Sequence, residues 1–278
     1  MTALLSIHSS VTAGFVGNSV AGPVLLSLNV QPLLVDTVLL AAHPGYGRRA
    51  GGGVPDDLFG AVLDGIVDLT DLGRINTVVS GYLGGVGQVE AIAALIDSWR
   101  RAATGPYVLD PVLGDAGRLY MPEKLAAAIR DKLLPRADII TPNSFELAYL
   151  SRMPVNCRDS AEAAATALLA KHDLEAVVAT GIADPEQGVG DLMVTAKQGR
   201  FWSPAVPDAR NVAGGGDLLT ALFAGQLALG TPLDKAFTTA SDVTQRIVAV
   251  SESPRDLALL ENLGIVAALA GGDNGSAA

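Results

Sequence analysis

Short apolar runs of strand length alternate with helical patterns along almost the whole chain, and this rhythm constrains the fold more than any single residue. The runs expected as strands are 3–7, 33–40, 77–80, 107–110, 139–141, 176–180, 192–196 and 200–203. The expected helices are 17–28, 56–69, 87–103, 122–134, 144–151, 160–171, 216–229, 233–250 and 255–269. Strands covered on both faces read as continuous apolar runs, and β-α-β units place their strands parallel. The expectation is an α/β fold of three layers, α/β/α, around a mostly parallel central sheet. Runs 192–196 and 200–203, joined by Lys197-Gln198-Gly199, are too close for a helical crossover and read as an antiparallel hairpin. No internal repeat and no biased linker divides the chain. Residues 1–269 are therefore expected to be a single domain and 270–278 (AGGDNGSAA) a disordered tail.

Composition removes several function classes. A length of 278 residues with 49% hydrophobic and 17% charged content suits one large domain with a sizeable core. The net charge is −10 and no basic stripe is present, which excludes a nucleic-acid surface. An anionic ligand would have to be met by backbone N–H groups, a metal ion or a few local cations. The single cysteine, Cys157, forms no intrachain disulfide. The opening MTALLSIHSS has no basic region before its apolar residues, so it is no secretory signal, and no apolar run reaches membrane-spanning length. A cytoplasmic protein without a membrane partner is the expectation.

The chemistry concentrates where loops meet helices. In Gly214-Gly215-Gly216-Asp217 a glycine-rich loop turns into a long apolar helix. Glycines let backbone N–H groups close on a ligand, and a helix N-terminus adds unpaired donors and the positive end of its dipole. Together they make an anion hole. An aspartate at its edge repels a bound anion, but it has a role if it takes a proton from a hydroxyl attacking phosphate. An acidic residue in a first helical turn is also favoured by the dipole alone.

Other strand ends carry polar residues. In Asp110-Pro111-Val112-Leu113-Gly114-Asp115 the two aspartates either hold a divalent cation through water or start a turn. Asn143 and Glu146, in Thr141-Pro142-Asn143-Ser144-Phe145-Glu146, have the spacing of a capping box, and they could equally reach a metal–phosphate cluster beside Asp110. Gly14-Phe15-Val16-Gly17-Asn18 lacks the third glycine of a dinucleotide fingerprint and reads as a loop near a substrate. Ser9, just past the first strand, either contacts a small polar ligand or caps a turn. His8, His43 and His172 show no metal spacing. No phosphate-loop motif G-x-x-x-x-G-K-[ST] and no G-x-S-x-G elbow is present.

SGYLG at 80–84, DPVLGD at 110–115, ITPNSFEL at 140–147 and GGGDLLTALFAG at 214–225, in this order, resemble the pyridoxal (vitamin B6) kinases of the ribokinase superfamily. TVLL at 37–40 and the first strand with Ser9 extend the resemblance over nearly the whole chain. It implies a ribokinase-like fold and an ATP-dependent kinase acting on the 5′-hydroxymethyl group of pyridoxal, pyridoxine or pyridoxamine. The resemblance makes Asp217 the catalytic base and Gly214, Gly215 and Gly216 the anion hole. It places Asp110, Asp115, Asn143, Thr180 and Gly216 at ATP, Asp110 and Glu146 at Mg²⁺, and K⁺ among the possible cofactors. Ser9, Thr37, His43 and Tyr82 fall around the substrate ring, and 112–120 on a flap over the phosphates. Relatives of this kind are commonly homodimers.

The chain departs from the pattern at three places. Gly215 stands where the family has threonine, and Gly181 where many relatives have serine after Thr180. His43-Pro44-Gly45-Tyr46 replaces a substrate loop in which a threonine or histidine contacts the substrate. Two alternatives remain open: a kinase for hydroxymethylpyrimidine or another small alcohol, and a non-catalytic protein that binds the B6 vitamers.

Overall fold

The computed structural model describes residues 2–197, 199–205 and 212–270. In chain order these form β1 (Ala3–Ala13), α1 (Asn18–Ser27), β2 (Gln31–Ala42), β3 (Gly51–Gly53), α2 (Asp56–Leu69), β4 (Ile75–Ser80), α3 (Val86–Trp99) and β5 (Tyr107–Leu109). There follow β6 (Gly114–Asp115), β7 (Arg118–Leu119), α4 (Glu123–Ala128), β8 (Ile139–Ile140), α5 (Ser144–Ser151) and α6 (Arg158–Lys171). The last elements are β9 (Ala176–Asp184), β10 (Gly188–Thr195), β11 (Arg200–Pro204), α7 (Gly215–Ala228), α8 (Leu233–Val250) and α9 (Leu259–Ala270).

The main sheet runs β11-β10-β9-β8-β5-β4-β1-β2-β3. Its six inner strands, from β9 to β2, are parallel, as the β-α-β rhythm requires. Successive strand residues point to opposite faces, and both faces are buried. Leu5 and Ile7 of β1 join the core under α2 to α6, whereas Leu4 joins the core under α1 and α7 to α9. Val177 and Val178 of β9 divide in the same way. This is the expected three-layer arrangement, and it explains why the inner strands lack a polar alternation.

The expected hairpin is present as β10 and β11, with Leu192 opposite Trp202; Gln198 of its turn lies outside the described residues. β10 also pairs antiparallel with β9, so the sheet gains two antiparallel strands at that edge. Several boundaries differ from expectation. β1 continues past residue 7 to Ala13 because pairing with β2 satisfies its backbone there, whatever its polar side chains suggest. β3 is three glycines on the β2 edge, with no side-chain pattern to announce it. The helix expected at 122–134 changes after α4 into a π-helical turn at Ile129–Leu133 and a 3-10 turn at Leu134–Arg136, where Pro135 cannot donate to a helical ladder. α9 starts at Leu259 rather than 255, and of the tail expected at 270–278 all but Ala270 lies outside the described residues. Among the described residues, no helix is long and apolar enough to cross a membrane.

Candidate active site

The carboxyl ends of β1, β5, β8 and β9 and the N-terminus of α7 face one region, where ligands collect in open α/β sheets. Gly214 caps α7 at φ 89°, in the left-handed region. A Cβ there would lie 2.0 Å from the Phe15 carbonyl oxygen, so the loop closes on the β1–α1 connection only because that atom is absent. The turn uses one of the expected donors: Gly215 N–H donates to the Val212 carbonyl at 3.1 Å. The N–H groups of Gly214, Gly216 and Asp217 have no acceptor among the described residues. The anion hole of the sequence reading is therefore narrower by one donor. Gly215 itself is not at positive φ, and a Cβ on it would meet Val248 Cγ2 at an ordinary 3.5 Å.

Asp217 sits in the first turn of α7, with its side chain 14% exposed. Its Oδ1 lies 3.0 Å from Nε2 of His8, close enough for an ion pair but not aligned as a hydrogen bond. Burial pushes the Asp217 carboxyl up; the facing His8 and the Gly17 amide overcome this and hold it below its ordinary value. Burial likewise pulls the His8 imidazole down, and Asp217, helped by Asp110 and Asp36, holds it above its ordinary value. The ring geometry opposes a full imidazolium, because Nδ1 accepts the Ser9 N–H at 2.8 Å and so carries no proton. That hydrogen bond decides the tautomer, with the ring's proton on Nε2.

Asp110, just past β5, is buried, and its Oδ2 accepts from Thr220 Oγ1 of α7 at 3.0 Å. Burial and the nearby Glu146 and Asp217 carboxylates raise its pKa to about 8. Ligand atoms of His8, Asp110 and Asp217 all lie within 4.8 Å of one another. Glu146 and Asn143 form the capping box of α5: Glu146 N–H donates to Asn143 Oδ1 at 2.9 Å and Asn143 N–H to Glu146 Oε2 at 2.9 Å. Glu146 does more than cap. Its Oε1 accepts from Leu113 N–H at 2.7 Å and Gly114 N–H at 3.3 Å, while Asn143 Nδ2 donates to the Gly114 carbonyl at 2.8 Å. The pair thus ties α5 to the segment that carries the β6–β7 hairpin. Burial raises Glu146 to about 7 against these three amides.

The remaining expected residues divide into two groups. Thr180 bridges to Asn143 across the ends of β8 and β9, and Gly181 beside it, at φ 64°, donates its N–H to Asp191 Oδ1 at 3.2 Å. Asp115 begins the turn of the β6–β7 hairpin by accepting from Ala116 N–H. On the substrate side Ser9 is buried beside His8, and Tyr82 is half-buried. Thr37 is fully buried and its hydroxyl donates to the Tyr82 carbonyl at 2.6 Å, so it supports the backbone there. His43 is buried as well: its Nδ1 accepts from Gly45 N–H and its Nε2 faces the Arg255 carbonyl at 2.7 Å. Tyr46 OH hydrogen-bonds Asp256 next to it.

Two residues at the centre escaped the sequence reading. His8 offered no metal spacing, yet it faces Asp217 from the strand in which only Ser9 was singled out. Its one signal is a histidine beside Ser9 and Ser10 at the polar part of β1. Thr220 lies inside an apolar helical run, one turn after Asp217, where nothing local distinguishes it from a core threonine.

Residues 53–258 match the phosphomethylpyrimidine kinase family. The chain is 35% identical over 248 residues to a pyridoxal kinase of Rubrobacter xylanophilus, covering 86% of this chain and 84% of that protein. It is 36% identical over 243 residues to a pyridoxine/pyridoxal/pyridoxamine kinase of Bordetella avium, covering 86% and 81%. Among solved structures it is similar to pyridoxal kinase from Entamoeba histolytica, with a TM-score of 0.87 and 26% identity over 96% of this chain and 95% of that one. It is equally similar to pyridoxal kinase from Leishmania donovani in complex with ADP and pyridoxamine, with a TM-score of 0.87 and 28% identity over 96% of both chains.

Proposed function

The chain belongs to the phosphomethylpyrimidine kinase family and stands among its pyridoxal kinases of ribokinase-like fold, and from that membership we propose that it transfers the γ-phosphoryl group of ATP to the 5′-hydroxymethyl group of pyridoxal and related B6 vitamers. One observation carries the mechanism: Asp217 stands ionised at a helix N-terminus whose Gly216 and Asp217 amides have no acceptor among the described residues. Asp217 accepts the hydroxyl proton as the oxygen attacks phosphorus. The free N–H groups of Gly214, Gly216 and Asp217, with the helix dipole behind them, balance charge developing on the phosphoryl oxygens. Thr180 and Asn143, together with the β6–β7 hairpin and its Asp115, are the proposed nucleotide contacts. Ser9 and Tyr82 are the proposed ring contacts, with His43 holding the 43–46 loop beside them and Thr37 supporting the Tyr82 backbone.

The acidic side of the site fits a divalent cation. Asp110 and Glu146 are buried with raised pKa values, Asp110 partly through the Glu146 carboxylate, and neither has an ion-pair partner among the described residues. In our reading Asp110 holds Mg²⁺, Glu146 acts through water, and the ion offsets phosphate charge when bound. A requirement for K⁺, a homodimeric state and a cytoplasmic location belong to the same reading and rest on the family alone.

The test is ADP release with pyridoxal, pyridoxine, pyridoxamine and hydroxymethylpyrimidine as acceptors. Turnover of the B6 vitamers supports the proposal, and turnover of the pyrimidine alone overturns it in favour of that kinase. Asp217→Asn should lose roughly 10²–10⁴-fold in kcat while still binding ATP and vitamer. A variant within a few-fold of the wild type would remove Asp217 from the chemistry.

A further inference from the structure

His8 occupies a slot made for its ring. A Cβ on Gly81 would lie 1.9 Å from His8 Cδ2 and 2.0 Å from Nε2, and one on Gly17 would lie 2.7 Å from Nδ1. The ring fits because both flanking positions are glycine. On one edge the Ser9 N–H donates to Nδ1 at 2.8 Å, which leaves the proton on Nε2. On the other edge Nε2 faces Asp217 Oδ1 at 3.0 Å. The side chain is buried and Nε2 has no hydrogen-bond partner among the described residues, so its 3.0 Å approach to Asp217 Oδ1 is an off-line contact.

Resting on the kinase reading above, we propose that His8 is a positioning residue for phosphoryl transfer: its Nε2–H, 3.0 Å from Oδ1 of Asp217, favours that carboxylate rotamer electrostatically and leaves Oδ2 to take the proton of the acceptor hydroxyl. A carboxylate at the start of a helix can rotate about its Cα–Cβ and Cβ–Cγ bonds, and each misdirected rotamer is a lost encounter. His8 keeps its own proton throughout. The hydroxyl proton goes to Asp217 Oδ2 as the new O–P bond forms and the bond from phosphorus to ADP breaks, so protons and electron pairs balance without His8 exchanging either.

The experiment measures kcat and KM for ATP and pyridoxal in wild type, His8→Leu, His8→Gln, Gly81→Ala and the double variant Gly81→Ala/His8→Leu. His8→Leu should lower kcat about 10–100-fold with both KM values within about twofold. His8→Gln, which restores an N–H at a similar reach, should recover most of that loss. Gly81→Ala should reproduce the kcat loss by pushing the ring aside, since Gly81 is not at positive φ, and it should add nothing in the His8→Leu background. A His8→Leu enzyme with wild-type kcat overturns the proposal. So does a loss confined to KM, which would make His8 a substrate contact.

Imidazole ¹⁵N spectra read the pairing without turnover. His8 should carry its proton on Nε2, and its signals should move in Asp217→Asn. A proton on Nδ1, or signals indifferent to Asp217→Asn, overturns the proposal even if His8→Leu fails to fold. A wild-type protein inactive on every acceptor overturns the kinase reading and the positioning role with it. In that case the spectra still report whether the pair exists.

Discussion

Asp110 and Glu146 are acids in places where a carboxylate is hard to keep ionised. Burial raises both, with the Glu146 and Asp217 carboxylates acting on Asp110 and Asp115 on Glu146, to about 8 and about 7, from ordinary values of 3.8 and 4.5. Such a group binds more protons in the folded protein than in the unfolded one across the interval between its two pKa values, so stability falls as pH rises through it. The metal-free protein should therefore melt at a lower temperature at pH 8.5 than at pH 6, by roughly several degrees. Asp110→Asn should shrink that gap, and so should added Mg²⁺ if the cation sits there. Melting curves at the two pH values check both, and an equal gap in wild type and Asp110→Asn would show that Asp110 titrates normally. Glu146→Gln tests the neighbouring acid differently. An amide cannot accept at both oxygens, so the variant loses part of the cap or the tie to Leu113 and Gly114. It should be less stable and need more Mg²⁺ for half-maximal rate. A change in stability alone would leave Glu146 as a cap and remove the metal role.

At the scale of the element, the start of α7 forms the proposed anion hole, and adjacent glycines there have opposite tolerances. Gly214 is left-handed, and its missing Cβ, which would lie 2.0 Å from the Phe15 carbonyl oxygen, is what lets that carbonyl approach. Gly214→Ala must move backbone to fit, and it should lose most activity and at least about 1–3 kcal/mol of stability. Gly215 has an ordinary φ and room for a side chain. Gly215→Thr should fold normally and raise the catalytic rate or tighten ATP binding modestly, since one neutral hydrogen bond contributes about 0.5–1.5 kcal/mol. Denaturation and steady-state kinetics on the two variants separate them. A slower, normally folded Gly215→Thr would show that the loop works as it stands, without the hydroxyl.

Across the whole molecule, the 43–46 loop is clipped to residues far along the chain. His43 reaches the Arg255 carbonyl and Tyr46 reaches Asp256, while Gly14 sits against both His43 and Asp256. His43 is thus engaged in holding two loops together beside the β1–α1 connection, and it is not free to supply the polar contact that Pro44 and Gly45 lack. His43→Ala should lower kcat/KM for every vitamer, chiefly through KM. With few fixed polar contacts from this loop, selectivity among pyridoxal, pyridoxine and pyridoxamine should stay below about tenfold, or roughly 1.4 kcal/mol. The measurement is kcat/KM for the three vitamers in both proteins. A strong preference untouched by His43→Ala would place specificity elsewhere in the pocket.

The sequence by itself determined the layered α/β fold, because burial on both faces of a parallel sheet leaves continuous apolar runs that local reading can find. It also marked Asp217, Gly214 and the Asn143–Glu146 cap, whose signals are confined to a few consecutive residues. Only the tertiary structure decided what those residues meet. Nothing near His8 in the chain points to Asp217, because the pairing arises where the middle of β1 passes the start of α7. Glu146 reads as a cap until folding brings Leu113 and Gly114 to its second oxygen. Gly215 looks like a full member of the anion hole until the turn gives its N–H to Val212. The β3 edge, being glycine alone, had no pattern to read. Periodicity records which face of an element is buried; hydrogen bonds between distant segments depend on where the chain returns, and no local pattern carries that information.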